Sequence, residues 1–125
     1  MSIIALFVFG VIGTNPTYKR PYQDTGAFLV EACKAVSVEN PSPEQVNKSN
    51  ICLAYLEGYA DGRGPAFRYK CLADVSFPDI AKAYVAWMKT NGSAYMTTSK
   101  RLGVEAAMDF NYEIGCDARW NALQK

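Results

Sequence analysis

The chain has 125 residues, of which four are cysteine and none is histidine. Its 13 basic and 12 acidic residues are interspersed and leave a formal charge of +1, so we expect no nucleic-acid partner. This length suits one domain with one hydrophobic core. Without histidine, the common Ser–His and Cys–His catalytic pairs and histidine-bound metal sites are excluded. The composition therefore predicts a binding protein rather than an enzyme, with no cofactor.

An apolar run from Ile3 to Ile12 opens the chain. It is well short of the roughly 20 residues that a membrane-spanning helix needs, so we interpret it as the core of a signal peptide. We assign residues 1–13 to the remnant of that signal and residues 14–24 to an extended N-terminal arm. The alternative is that the run forms a buried strand of the mature domain. Export would bring the cysteines into an oxidising compartment, with no stable membrane insertion of the mature chain.

Residues 25–116 carry the patterns of an all-α fold, a compact bundle of about four main helices. The first helix is predicted from Asp24 or Thr25 to Val36, because apolar residues recur at helical spacing. The second begins at Ser42, where a capping hydroxyl is followed by proline and, three residues on, by Gln45. The glycines after Asp61 end it. The following segment, 67–72, could be locally extended.

The third helix is predicted to start at Ser76 and to stop at Gly92. Its apolar residues at helical spacing are Ile80, Tyr84, Trp87 and Met88. The last long helix runs from Thr97 or Thr98 to Ile114. Its expected inward residues are Leu102, Ala106, Met108 or Phe110, and Tyr112. Residues 117–125 form a C-terminal tail whose Trp120 and Leu123 could pack on the bundle.

Helix ends indicate how the four cysteines pair. Cys33 lies late in the first helix and Cys52 in the middle of the second, which a short loop makes its antiparallel neighbour. Cys71 precedes the third helix and Cys116 follows the fourth, so a hairpin of these two helices brings both to one edge. Of the three possible connectivities, we favour Cys33–Cys52 and Cys71–Cys116. A metal site is the alternative, but the four cysteines include no closely spaced pair.

Catalysis by carboxylates alone would remain possible without histidine. Glu105, Asp109 and Glu113 are spaced four apart on the last helix, which is typical of a solvated face. No glycine-rich loop follows a strand and opens a helix, so no phosphate site is predicted. The sequence therefore favours no catalytic and no metal residues.

The cysteines belong to a longer pattern, which reads Cys52-x-x-Tyr55-x-x-Gly58, then Cys71, then Tyr84-Val85-x-Trp87-Met88, then Cys116. This pattern resembles the Rap/Tai immunity proteins of type VI secretion systems. The resemblance covers roughly residues 28–116. The resemblance implies a helical periplasmic protein, exported by its signal peptide, that protects a bacterium from an injected amidase toxin. Such a toxin is a papain-like cysteine peptidase that cuts peptidoglycan, and the immunity protein would occlude its active-site cleft without performing chemistry.

Two loops are candidates for entering the toxin. The first contributes Arg63, Phe67, Arg68 and Tyr69, which are residue types that often anchor interfaces. The second is small and polar and ends in a tyrosine. Its residues are Asn91, Gly92, Ser93, Ala94 and Tyr95. For each loop, the alternative is an ordinary connection between helices.

Three tyrosines, Tyr55, Tyr59 and Tyr84, fall on apolar helix faces, where we expect core residues with bonded hydroxyl groups. Gly58 lies inside a helix at a cost of up to about 1 kcal/mol relative to alanine, so we expect another element to approach it. The resemblance makes that element a neighbouring helix or the second subunit of a homodimer. The alternative function for the whole chain is a periplasmic helical chaperone or a small-ligand carrier.

Overall fold

The computed structural model describes residues 19–125, and the predicted signal-peptide remnant (1–13) and the first part of the arm (14–18) lie outside them. Within the described part, the fold is all-α with no strand, as the sequence predicts, and it has five α-helices where about four main ones were expected, because the tail is helical too. The helices are α1 (Gly26–Lys34), α2 (Pro43–Arg63), α3 (Phe77–Asn91), α4 (Lys100–Met108) and α5 (Cys116–Leu123). Short 3-10 turns cover Tyr22–Asp24, Ala35–Ser37 and Ser93–Tyr95.

Capping residues set where the helices begin. Ser42 accepts a hydrogen bond from the Gln45 amide at 3.2 Å, and the Gln45 side chain accepts one from the Ser42 amide at 2.9 Å. This capping box confirms the predicted start of α2. Ser76 caps α3 in the same way through the amide of Asp79. These local contacts satisfy amide groups that the first turn of a helix leaves without partners.

The start of α1 is held by a distant part of the chain. Thr25 caps the helix through the Phe28 amide. The amides of Gly26 and Ala27 donate to the carbonyl oxygens of Thr98 and Met96, at 3.1 and 3.0 Å. The loop before α4 therefore supplies acceptors that the helix lacks, and it fixes α1 against that loop.

Helices α1 to α4 pack around one core, with α1 against α2, α3 and α4. Its largest fully buried side chains include Leu29, Leu56, Ile80, Tyr84, Val104 and Met108. Burial of this kind stabilises by about 1.5 to 3 kcal/mol for each large apolar side chain. Of the expected inward residues of α3, Ile80, Tyr84 and Met88 are buried and Trp87 is half-buried against the core. Among residues 19–125, we find no helix whose length and hydropathy would let it cross a bilayer.

The predicted inward face of the last helix is correct in part, since Met108, and not its alternative Phe110, is buried and Tyr112 packs against the core, whereas Leu102 does not face inward. Gly103, Val104, Ala107 and Met108 are the buried residues, whereas Leu102 and Phe110 are 36% and 62% exposed. The helix carries apolar side chains on two faces, and sequence periodicity alone could not tell which face the bundle covers. An outer apolar stripe follows from this. It consists of Leu102, Ala106, Phe110 and Ile114.

Two wide helical turns also differ from the sequence reading. Phe67–Cys71 and Asp109–Glu113 are π-helical, with hydrogen bonds from the Leu72 amide to Phe67 and from the Ile114 amide to Asp109. The expectation that 67–72 is extended is therefore wrong. The helical turn places Phe67 and Cys71 together on the inner side, where both are buried.

Both predicted disulfides are formed, Cys33–Cys52 and Cys71–Cys116. They close chain separations of 19 and 45 residues, which restricts the unfolded chain and stabilises the fold by about 2 to 4 kcal/mol each. The first joins α1 to α2 inside the core. The second joins the turn Phe67–Cys71 to the start of α5. Persistent disulfides of this kind are typical of proteins in an oxidising compartment.

The close contact at Gly26 gives a stability prediction. A Cβ atom on Gly26 would lie 2.3 Å from the backbone oxygen of Tyr95, so the Gly26→Ala change must displace backbone. We expect it to lower the free energy of unfolding by about 1 to 3 kcal/mol. The matched control is Gly62→Ala in α2, where nothing lies within 4 Å and the change should be neutral or raise stability by up to about 1 kcal/mol. Urea unfolding measures the free energy of unfolding of both variants. Equal changes at Gly26 and Gly62 would contradict the close contact at Gly26.

Candidate functional site

Arg63, at the end of α2, joins the two wide turns. Its guanidinium donates to the hydroxyl of Tyr59 and to a carboxylate oxygen of Asp109, both at 3.0 Å, and also to Glu113. The same group lies over the ring of Phe67, with 4.3 Å between its Cζ and the ring centroid. These contacts bind the end of α2 to the turn Phe67–Cys71 on one side and to Asp109–Glu113 on the other.

The charge of Arg63 is stable in this setting. Burial acts to lower the pKa of its guanidinium, but the hydrogen bonds that it donates to Tyr59 and Asp109 and the charge of Glu113 outweigh this and raise the pKa. The side chain is only 25% exposed. Arg63 therefore serves the internal structure of the first candidate loop, where three hydrogen bonds already engage its guanidinium. Asp109 and Glu113, interpreted from sequence as a solvated face, are half-exposed partners of this cation.

The rest of the first candidate loop divides into buried and exposed residues. Phe67 is 5% exposed and belongs to the core. Arg68 forms an ion pair with Asp61 and lies over the ring of Phe77, with its Cζ 4.9 Å from the centroid. Tyr69 is 73% exposed, the most exposed of the large apolar and aromatic side chains in residues 19–125. Of the four predicted residues, Tyr69 and in part Arg68 are those that a partner could reach directly.

An aromatic cleft borders Tyr69 and includes a residue that the sequence analysis left in the tail. The rings of Tyr69 and Trp120 lie 5.5 Å apart and are tilted by 51°. With Arg68, Leu72, Val75 and Phe77 they line a cavity of about 720 Å³. Trp120 reaches this place because α5 packs on the turn Phe67–Cys71, to which the Cys71–Cys116 disulfide attaches it. The tail is thus helical, and its tryptophan forms part of the candidate site.

The second candidate loop is held more closely to the bundle. Asn91, Ser93 and Ala94 are exposed, whereas Gly92 is buried against Met88. Tyr95 is half-buried and its ring lies 5.8 Å from that of Trp87. The structure therefore does not bring the two candidate loops together into one cleft, since Tyr95 packs at the end of α3 and Tyr69 lies before its start.

The three helix tyrosines contact the interior in different ways. Tyr59 and Tyr55 are half-buried, and the Tyr59 hydroxyl accepts the hydrogen bond from Arg63. Tyr84 is 2% exposed, and its hydroxyl has no hydrogen-bond partner among the described residues. The expectation of a bonded hydroxyl is therefore wrong at Tyr84. Nothing lies within 4 Å of a Cβ atom built on Gly58, so the neighbouring helix expected there is also wrong.

Around Gly58, an open groove of about 540 Å³ separates α2 from α4. Tyr55 and Tyr59 form one side, and Arg101 and Glu105, which pair with each other at 3.4 Å, form the other. A second groove, of about 560 Å³, lies between α1 and α3. Apolar side chains and two lysines line it, namely Val30, Lys34, Val85, Met88, Lys89 and Met96.

Acidic residues and cysteines do not form a metal site within residues 19–125, where no group of three potential ligands is close enough. All four cysteines are used in disulfides. Comparison with family models, with curated proteins and with solved structures finds no match for the chain.

The contacts of Arg63 predict a stability difference between two arginines. Arg63→Met should lower the free energy of unfolding by about 1 to 2 kcal/mol, because it removes three charge-assisted hydrogen bonds and leaves two carboxylates side by side. The control is Arg101→Met, whose side chain is 60% exposed and makes one i,i+4 pair, with an expected effect below about 0.5 kcal/mol. Urea unfolding at low and high salt measures both. Similar effects of the two changes would contradict a special role for Arg63.

Buried tyrosines predict a loss of stability at alkaline pH. Burial raises the pKa of Tyr55, Tyr59, Tyr84 and Tyr112 above the ordinary value of about 10. The unfolded chain then loses these protons first, so the free energy of unfolding is unaffected below that pH and falls as pH rises above it. Urea unfolding across this range, with tyrosinate absorbance, measures the effect.

The control for this prediction is Tyr84→Phe, which removes one of the four groups and should make the alkaline decline shallower. Since all four cysteines are paired, no thiol titrates in the same range. If the free energy of unfolding does not decline above the ordinary tyrosine pKa, the burial of these side chains is contradicted.

Proposed function

We propose that this protein is a periplasmic immunity protein that binds a papain-like peptidoglycan amidase and blocks its active-site cleft. Support begins with the frame that resembles the Rap/Tai family. Its four cysteines are paired as Cys33–Cys52 and Cys71–Cys116, which makes a rigid scaffold around the residues that carry the resemblance. A rigid binder loses little conformational entropy when it docks, which favours tight inhibition.

The observation that carries the proposal is the exposed aromatic cleft at one end of this scaffold. Tyr69, Trp120 and Arg68 are of the three residue types most enriched among interface hot spots. They are held by the second disulfide and by the Arg63 contacts, so the surface is formed before a partner arrives. We assign the toxin-binding role to this first loop rather than to residues 91–95, whose tyrosine is packed against Trp87.

Growth protection tests the proposal directly. Co-expression of the full chain with periplasmic papain-like amidases should rescue growth for the cognate enzyme, and the purified pair should show inhibition at one binding site per amidase. Failure to protect against any periplasmic cell-wall hydrolase, or hydrolysis of peptidoglycan by this protein itself, would contradict the proposal.

Removing the exposed tyrosine should weaken the complex. Tyr69→Ala is expected to raise the dissociation constant by roughly thirtyfold, equivalent to about 2 kcal/mol, as for a typical aromatic hot spot. The control is Tyr22→Ala, a tyrosine that is 55% exposed and packs on Phe28 of α1 instead. Calorimetric titration with the cognate amidase measures both. If Ala94→Trp abolishes binding while Tyr69→Ala does not, the second loop is the one that enters the toxin.

A homodimer is the second part of the proposal, and two surfaces that no other segment of residues 19–125 covers support it. Gly58 and its groove leave the outer side of α2 open. The outer apolar stripe, which continues from α4 through the turn Asp109–Glu113, exposes Phe110 and Ile114 by 62% and 67%. A second subunit would cover apolar area that isolated proteins seldom leave open.

Sedimentation equilibrium tests the dimer. The wild-type protein should be dimeric at micromolar concentration, and Phe110→Glu should be monomeric because a carboxylate would have to be buried without a partner. The control is Val38→Glu in the loop after α1, where the side chain is 37% exposed. A monomeric wild-type protein would contradict this part of the proposal.

A small-ligand carrier is the second candidate function, and the groove between α1 and α3 favours it. Its apolar floor and the ammonium groups of Lys34 and Lys89 suit an anionic amphiphile. If this function is correct, native mass spectrometry of the purified protein will show a complex with a bound lipid. A spectrum that contains only the mass of the unliganded protein would exclude the carrier function. The related chaperone function lacks an observation of its own.

A further inference from the structure

The two disulfides lie in different surroundings. Cys33 and Cys52 are 1% and 0% exposed and are enclosed by the core. Cys71 and Cys116 are each 7% exposed, and both line a surface cleft of about 550 Å³. Because thiol–disulfide exchange needs direct approach of a thiolate to a sulfur atom, access favours the second bond.

The cleft also suits the departure of one sulfur. Cys116 is the first residue of α5, and Gly115 before it provides no side-chain cap. The unpaired amides and the positive end of a helix stabilise a thiolate at this position and make it a better leaving group. Four charged residues also line the cleft, Arg63 and Lys70 together with Glu113 and Asp117. Each acid pairs with one of the cations, so the charges around the sulfur atoms are close to balance.

We propose that Cys71–Cys116 is a thiol–disulfide exchange site for an external dithiol, while Cys33–Cys52 is a permanent structural bond. In the first step, a thiolate of the dithiol attacks Sγ of Cys71, the Sγ–Sγ bond breaks, and Cys116 leaves as a thiolate that takes up a proton. In the second step, the other thiol of the reagent attacks the mixed disulfide and releases Cys71. The protein gains two electrons and two protons, and the dithiol is oxidised to its disulfide.

Reduction of this bond has a local structural consequence. Cys116 is the only buried residue of α5, and the other contacts of α5 in the described structure are made mainly with the turn Phe67–Cys71. Once the bond opens, α5 is held by the solvent-exposed ion pair Lys70–Asp117 and by the contact of the half-buried Trp120 with the exposed Tyr69, which together hold it weakly. The aromatic cleft then comes apart, while the core around Cys33–Cys52 is retained.

Graded reduction of the native full chain tests the site without a partner. Dithiothreitol is added at increasing concentration, free thiols are blocked with iodoacetamide, and peptide mass spectrometry identifies the modified cysteines. We expect Cys71 and Cys116 to be modified together, at least about tenfold faster than Cys33 and Cys52, because the buried pair reacts only through large-scale opening. Equal rates, or earlier modification of Cys33 and Cys52, would overturn the proposal.

Two double variants report the structural consequence. Cys71→Ser with Cys116→Ser should expose residues 114–125 to limited proteolysis and change the fluorescence of Trp120 while α-helical circular dichroism is largely kept. A Trp87→Phe background removes the other tryptophan signal. Cys33→Ser with Cys52→Ser should leave the Cys71–Cys116 bond as reducible as before. A first variant that resists proteolysis as well as the wild type would overturn the consequence drawn for α5.

The effect on the cleft rests on the proposed function, but the two can be separated. Reduction before addition of the amidase should weaken binding, and reoxidation should restore it. If the reduction order is as expected and no amidase is ever bound, the exchange site stands and the immunity function falls. If amidase binding is established and the four cysteines react at one rate, the immunity function stands and the proposed exchange site falls.

Discussion

The guanidinium of Arg63 is the contact on which the candidate site depends. One side chain at the end of α2 binds two residues of the turn Asp109–Glu113, which are 46 and 50 positions further along the chain, and it covers the ring of Phe67 in the other wide turn. The hydrogen bonds of its donors hold the turn Asp109–Glu113, and the contact of its face with Phe67 holds the turn Phe67–Cys71, so this one group fixes the separation of the two wide turns. The first wide turn ends at Cys71, and the second is followed shortly by Cys116, its disulfide partner. The position of Tyr69 thus follows from charge geometry and a covalent bond, with little contribution from apolar burial of its own.

Much of the fold could be predicted because its signals are local. The hydroxyl of Ser42 and the side chain of Gln45 define the start of α2 within four positions. The cysteine pairing follows from which helices, and which of their ends, lie side by side. The buried face of α4 could not be predicted from such local signals. Leu102 and Phe110 are apolar like Val104 and Met108, and only the positions of the other helices decide which pair is covered. The turn Phe67–Cys71 also needs tertiary contacts to adopt its π-helical form.

The candidate site was predictable only in part. Tyr69 was selected by residue type and by its place near a glycine-rich helix end, and the structure leaves it exposed. Arg63 and Phe67 were selected for the same reason, yet both are used inside the protein. The contribution of Trp120 required knowledge of where α5 lies, which a sequence pattern does not contain. Residue type indicates that a side chain can anchor an interface, whereas exposure depends on contacts made far along the chain.

The placement of α5 has a practical consequence for anyone who labels or fuses this protein. Its last residues leave the fold beside Tyr69 and Trp120, whereas residues 19–25 leave near the loop before α4, at the other end of the bundle. A purification tag or fluorescent domain after Lys125 would crowd the aromatic surface and could mimic a loss of affinity. A tag placed before Lys19 would be attached at the end of the bundle opposite to this aromatic surface. The choice of terminus therefore determines whether a binding experiment reports on the protein or on the tag.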